Sequence, residues 1–169
     1  MENQVLKNIK KRRTIYSFKK EPVEEEKIEK ILEAGRWAPS WTNTQPWRFV
    51  IVKDDDTKKE ISEIFLEVFR KGIRDAAVLI IVFVDPDEDQ YHFVEDGAVA
   101  TQNMALAAES LNLGSTWIGV FDTENEEKVK ETLNVSKDLR AISALPIGVP
   151  EDVPEKGRKD ISSLILKEI

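Results

Sequence analysis

Arg12, Arg13 and Thr14 place two guanidiniums and a hydroxyl within three consecutive residues. Guanidinium presents forked donors that match phosphate oxygens, so the triplet suits a phosphate dianion; a solvated charge cluster is the competing reading. Arg158, in EKGRKD near the other end of the chain, is placed to close on the same anion if the fold brings the ends together. A second unusual stretch is RWAPSWTNTQPWRF, residues 36–49, which holds three of the four tryptophans, two prolines and a run of uncharged hydrogen-bonding side chains. One reading makes it core plus turn, with Trp37 and Trp47 packing. The other makes it a wall stiffened by Pro39 and Pro46, from which Ser40, Asn43 and Gln45 offer donors and acceptors to a planar ligand; an amide carries both on one head.

Other chemistries find little support. There is no cysteine, which removes disulfides, thiolate metal sites and cysteine nucleophiles, and fits a cytoplasmic location. His92 is the single histidine and no G-x-S-x-G elbow is present, so a serine triad or a histidine zinc site is not expected; His92 reads as a surface or capping residue. DPDED from Asp85 resembles the start of a calcium loop, but Gln90 and Asp96 stand where glycine and glutamate belong, so no metal site is expected. Neither G-x-G-x-x-G nor a P-loop motif occurs. With 32 acidic against 25 basic residues the formal charge is -7, which disfavours nucleic acid and anionic membrane surfaces. The longest apolar run, AAVLIIVFV from Ala76, is too short to span a bilayer, and the charged N-terminus lacks the apolar stretch of a signal peptide. Chemistry without thiol, metal or histidine cluster points to a bound organic cofactor. High charge without cysteine also suits a thermophile.

The elements that must position these residues follow from periodicity. At 169 residues, without repeats or linkers, the chain reads as a single domain over 1–169. Val5 and Ile9 predict a short helix ending in the basic cluster. Ile28, Ile31, Leu32 and Gly35 predict a second, and Ile61, Ile64, Phe65 and Val68 a third. FVIV at 49–52 reads as a strand, and AAVLIIVFV as a strand covered on both faces. Residues 94–112 form a helix small and apolar around most of its circumference, whose extra cover could come from a second subunit. STWIGVF and AISALPIGVP predict strands on either side of a charged helix from Thr123 to Leu133, and the segment from Asp160 ends too apolar to stay in solvent.

RRTIYSF at 12–18, PVEEEKIEKILEAGRWAPSWTNTQPWRFVIV at 22–52, EDGAVATQNMALAAESLNLGSTWIG at 95–119, ALPIGVP at 144–150 and the late Arg158 together resemble the nitroreductase family of FMN-dependent oxidoreductases. The resemblance runs in order over most of the chain. It implies an α+β fold with a central mixed β-sheet flanked by helices, in an intertwined homodimer with FMN at the interface. By position, Arg12, Arg13 and Thr14 would hold the FMN phosphate with Lys156 and Arg158. Pro39, Ser40 and Trp41 would flank the ring, Asn43 and Gln45 would serve the flavin or its wall, and Gly119 and Val120 would aim backbone N–H groups at its edge. The alanine helix would form the dimer core and the C-terminus an arm over the partner. Two positions depart from the family: Tyr16 stands where a basic residue often contacts phosphate, and Trp41 where a small residue is common, narrowing the space over the ring. The chain also lacks a long lid-forming insertion.

The implied activity is a ping-pong cycle in which NADH or NADPH reduces FMN at N5 and a nitroaromatic, quinone or other small aromatic acceptor takes the electrons, with no catalytic side chain. The alternatives are another flavin chemistry on this fold, such as dehalogenation, azoline oxidation or flavin fragmentation, a flavin-binding module without turnover, and an α+β dimer whose aromatics are only core.

Overall fold

Val78–Val84 (β2) is apolar at every position, which only a strand with cover on both faces tolerates. In this computed structural model, which describes residues 3–169, it lies at the centre of the sheet and all seven residues are buried. Trp47–Val52 (β1) pairs with one side of β2 and Arg140–Gly148 (β5) with the other, both antiparallel. Gly114–Ser115 (β3) and Ile118–Gly119 (β4) follow each other along the free edge of β5, also antiparallel. The expected mixed sheet is therefore antiparallel in all its strand pairs, and its parallel element is one isolated bridge, Thr14 to Ser115. The STWIGVF segment is two short strands separated by Thr116, whose N–H still donates to the Pro146 carbonyl at 3.2 Å and whose hydroxyl donates to the Ile15 carbonyl, and by the outward-turned Trp117.

Because side chains alternate along a strand, β2 feeds two cores. Val78, Ile80, Val82 and Val84 pack with Glu25–Arg36 (α2) and Phe93–Ser110 (α5). Leu79, Ile81 and Phe83 pack with Asp55–Ile64 (α3), Glu67–Asp75 (α4) and Asn125–Thr132 (α6). The result is an α+β sandwich of three layers. The single helix expected through Phe65 and Val68 is two, because Phe65 and Leu66 take extended backbone angles between α3 and α4. Gln4–Lys11 (α1) is capped by Asn3, whose side chain accepts the Leu6 N–H at 2.9 Å.

Close backbone approach fixes α5. A Cβ on Gly97 would sit 2.5 Å from Ile142 Cγ1 and 2.9 Å from Val84 Cγ1, and one on Gly35 would sit 2.9 Å from Met104 Cγ, so α5 is pressed onto β2, β5 and α2. Its opposite side is less covered than its composition suggests: Val99 is exposed, and Ala98, Gln102, Asn103 and Leu106 are half-buried. The C-terminal segment stays exposed on its own chain, with Ile161, Leu164, Ile165, Leu166 and Ile169 all open to solvent. Trp47 is buried as expected, but Trp37 is 72% exposed, its indole N–H donating to Glu33 Oε1 at 2.6 Å.

The turn before α6 is locked to β5 by one buried carboxylate. Glu126 accepts from Arg140 Nε at 2.7 Å and Nη2 at 3.0 Å, and from the N–H groups of Asp122 at 2.9 Å and Ala141 at 3.1 Å. Burial works against the charge on Glu126, but the Arg140 fork and the two N–H donors outweigh it and hold the carboxyl below its usual range. A depressed folded value means the stabilisation is present above the ordinary pKa of 4.5 and lost as pH falls through the folded value. Glu126→Gln should therefore lower unfolding free energy by about 2 kcal/mol at neutral pH and by progressively less in acid; a cost that does not change with pH would rule out the ionised pair. Gly97→Ala should cost about 1–3 kcal/mol in urea unfolding, whereas Gly157→Ala, with nothing within 4 Å of the new Cβ, should stay within about 0.5 kcal/mol. Equal effects would contradict the packing account.

Candidate functional site

The basic cluster at the end of α1 is shaped by its own helix. Arg12 is the C-cap, and Arg13 turns one guanidinium nitrogen back onto the carbonyls of Lys10 at 2.6 Å, Arg12 at 3.0 Å and Lys11 at 3.1 Å. The chain then runs along β3, where Ile15 N–H donates to the Ser115 carbonyl at 3.1 Å and Phe18 bridges Pro150. That bridge, with Glu151 N–H donating to the Ser17 carbonyl at 3.1 Å, carries the segment after β5 back past Thr14 and Tyr16. The two ends of the sequence thus converge. Arg12, Arg13, Thr14, Tyr16, Lys156 and Arg158 line one pocket of about 100 Å³ together with Pro154.

None of the residues lining this pocket is acidic. Burial first, then the charges of Arg158 and Arg13, push the Arg12 guanidinium below its ordinary pKa; Glu109 opposes them. A guanidinium does not give up its proton in this range, so the shift expresses desolvation and like-charge repulsion that Glu109 offsets only in part. Glu109 is shared with Lys11 at 3.2 Å. Among the described residues, Arg158 makes one hydrogen bond, to its neighbour's carbonyl, the Gly157 oxygen, at 3.1 Å. Three guanidiniums, an ammonium and a hydroxyl lining one small pocket fit a phosphate monoester, and Tyr16, stacked on Phe69 at 6.1 Å, adds a wall and no charge.

The tryptophan-rich loop is the second part of the site. After α2, Ser40 is extended and Trp41–Asn43 form one 3₁₀ turn. Thr42, Asn43 and Gln45 have φ of 46°, 64° and 54°, left-handed values that are unfavourable for any residue with a side chain and most of all for a β-branched one. Each costs on the order of 1–3 kcal/mol and persists only where surrounding contacts over-determine it. Those contacts are visible. Ser40 Oγ accepts the Gln45 N–H at 2.9 Å, Gln45 Nε2 donates to Asn43 Oδ1 at 3.3 Å, and the Trp41 N–H donates to the Asp96 carboxyl at 3.2 Å. The Trp41 indole lies on His92, with ring centroids 4.2 Å apart. Pro39, Ser40, Trp41, His92, Asp96 and Val99 line a pocket of about 250 Å³, with Asn43 and Gln45 exposed beyond it.

Gly119 and Val120 differ from each other. A Cβ on Gly119 would have nothing within 4 Å, so that backbone faces open space. Val120 is buried and its N–H donates to the Ile142 carbonyl at 3.0 Å, so it is held by the sheet and does not point at a ligand, contrary to the expectation.

The anion pocket and the Trp41 loop lie at opposite ends of α5. Asp96 holds Trp41 at its start and Glu109 pairs with Lys11 at its end, thirteen residues or about 20 Å apart along the helix. On one chain they are two separate clusters. Sequence reading missed Asp96 and the neighbouring Asp89, and it treated His92 as peripheral. The available signal was a pair of acids in the first turn of an otherwise alanine-rich helix, which local patterning assigns to the helix dipole. Among the described residues no group of three or more histidine and acidic side chains could hold a metal ion, and no helix is long and apolar enough to cross a membrane.

The pattern that defines the nitroreductase family matches residues 9–82 and 68–149. A protein of Archaeoglobus fulgidus, assigned by name as an NADH dehydrogenase/NAD(P)H nitroreductase, is 37% identical over 87% of this chain and 86% of its own length. An FMN reductase [NAD(P)H] of Bacillus subtilis is 32% identical over 89% of this chain and 67% of its own. A solved structure from Desulfovibrio desulfuricans, assigned as a nitroreductase and in complex with FMN, superposes with a TM-score of 0.88 at 32% identity, covering 100% of this chain and 99% of that one. With the cation-lined pocket, the strained loop and the three-layer sandwich described, these matches over most of the sequence show that the chain belongs to the nitroreductase family.

Proposed function

We propose that this chain is an FMN-dependent oxidoreductase that oxidises NADH or NADPH and reduces small planar acceptors such as nitroaromatics or quinones. The observation that carries the reading is the pocket in which Arg12, Arg13, Thr14, Lys156 and Arg158 meet without an acidic partner. A phosphate monoester dianion would relieve the repulsion stored there, and FMN carries that group. Bound, FMN would supply hydride acceptance from the nicotinamide and delivery to the acceptor. The chain's own residues bind and shape. Arg12, Arg13, Arg158 and Lys156 hold the phosphate, and Thr14 adds a hydroxyl. Pro39, Ser40 and Trp41 wall the ring, Trp41 offering an indole face where a smaller side chain would leave the space open. Asn43 and Gln45, held exposed by the left-handed backbone, present amide groups at the rim. Gly119 leaves its side of the ring unobstructed.

The same geometry supports a homodimer. The phosphate half-site and the ring half-site of one protomer are separated by the length of α5, so a ligand of FMN's size joins the phosphate half-site of one copy to the loop of another. The apolar groups that one chain leaves exposed agree with this: Val5, Leu6 and Ile9 on α1, Val99 on α5, and the tail from Ile161 to Ile169.

Arg158 separates binding from folding best, because it holds no other element in place. Arg158→Ala should weaken FMN binding by about 10- to 100-fold, the value of a lost charge-assisted bond, and should leave the thermal midpoint of the flavin-free protein unchanged or raised, since a like charge has gone. Unaltered FMN affinity would remove the phosphate assignment. The oxidoreductase reading is checked by adding NADH and then NADPH anaerobically to FMN-loaded protein: bleaching of the flavin absorbance is expected, and a flavin that stays oxidised with both would mark a binding module. Sedimentation should give about twice the chain's mass, 19.3 kDa; a stable monomer that binds FMN would refute the shared site.

A further inference from the structure

Asp89 is buried in the turn before α5, and its Oδ1 accepts the N–H groups of Tyr91 at 2.9 Å and His92 at 3.0 Å. Its Oδ2 is enclosed and receives no donor from the described residues. An ionised buried oxygen left in that condition is costly. Asp96, also buried, lies within hydrogen-bonding reach of the Asp89 carboxyl, and its two oxygens share the Trp41 N–H at 3.2 and 3.3 Å. Two ionised carboxylates do not share such a contact, whereas one proton between them satisfies every atom.

We propose that Asp96 acts as a neutral carboxylic acid that bridges the ionised Asp89 and the Trp41 backbone, and so is the positioning residue for the Trp41 loop. The Asp96 O–H donates to Asp89 Oδ2 and the other Asp96 oxygen accepts from Trp41. The proton belongs on Asp96 because Asp89 already has two backbone donors that favour its charge and Asp96 has one. Burial, followed by the charge of Asp89, pushes Asp96 above the usual carboxyl range; burial opposes ionisation of Asp89 too, but the N–H groups of Tyr91 and His92 outweigh it and hold Asp89 low. His92 completes the support: its ring carries the Trp41 indole, and its Nδ1, enclosed and without a hydrogen bond, lies 3.7 Å from Asp89 Oδ1. The other titratable groups around the bridge are Glu95, exposed on the same helix turn, and Tyr91, edge-on to His92 at 6.4 Å; no lysine or arginine lines this pocket.

The bridge matters because the loop is strained at Thr42, Asn43 and Gln45, and Asp96, with the His92 ring, ties it to the start of α5. A carboxyl raised in the folded state stabilises that state at low pH, and the contribution fades as pH rises through the raised value. Ionisation of Asp96 then sets two buried negative charges against each other and loosens Trp41. The consequence for flavin rests on the function proposed above; the bridge itself does not.

Asparagine copies the protonated acid, with an N–H for Asp89 and an oxygen for Trp41, and it cannot ionise. The test is therefore amide exchange of the Trp41 N–H, expressed as a protection factor, for the wild-type chain, Asp96→Asn and Asp96→Ala, from the ordinary carboxyl value of 3.8 up to neutral pH. Wild-type protection should fall as pH rises, Asp96→Asn should match the acid-form protection within about twofold at both ends, and Asp96→Ala should lose about tenfold throughout. Asp96→Asn losing as much as Asp96→Ala, or keeping the wild-type pH dependence, would overturn the neutral bridge. Should Asp96→Ala fail to fold, the comparison with Asp96→Asn decides alone. FMN titration of the same proteins separates the two readings: Trp41 protection that behaves as expected while FMN affinity is the same in all three leaves the bridge standing and removes Trp41 from the flavin wall.

Discussion

The contact between α5 and the sheet at Gly97 is the constraint on which the rest of the structure depends. Without a side chain there, the helix backbone comes down onto Ile142 of β5 and Val84 of β2, and Gly35 lets α2 close on Met104 from the other side. The position of α5 then sets both half-sites. Its first turns carry Asp96, which holds the Trp41 loop, and its last turn carries Glu109, which pairs with Lys11 beside the arginines. A shift of this helix would displace the aromatic wall and the cation pocket together.

Charge is handled in opposite ways at two places. Around Glu126 every oxygen has a partner and the Arg140 fork closes the turn, so electrostatics there serve folding. Around Arg12 cations are brought together with no acid among them, although the chain as a whole carries a net charge of -7. That arrangement opposes folding of the flavin-free chain and favours an anionic ligand. Its stabilisation appears only when the ligand is bound. The Trp41 loop is similar in kind: left-handed angles at Thr42, Asn43 and Gln45 are unfavourable locally and are kept by the Ser40 hydroxyl, the Asp96 carboxyl and the His92 ring.

Much of this was legible in the order of residues. The all-apolar run at Val78–Val84 can only be a strand covered on both sides, the spacing of Ile28, Ile31 and Gly35 can only present one face of a helix, and paired arginines beside a threonine raise an anion site beside the reading of a solvated charge cluster. These signals are local, because period and side-chain chemistry are written residue by residue. Tertiary packing decided the remainder. Arg158 joins Arg12 across almost the whole chain because Phe18 bridges Pro150; Val120 turns its N–H into the sheet; Trp37 faces water although its neighbours suggest a core. Asp89 and Asp96 are seven positions apart and read separately as a turn acid and a helix-start acid. Their shared proton arises only when the fold buries both under Trp41, since desolvation and mutual repulsion depend on distance and burial, which no linear pattern specifies.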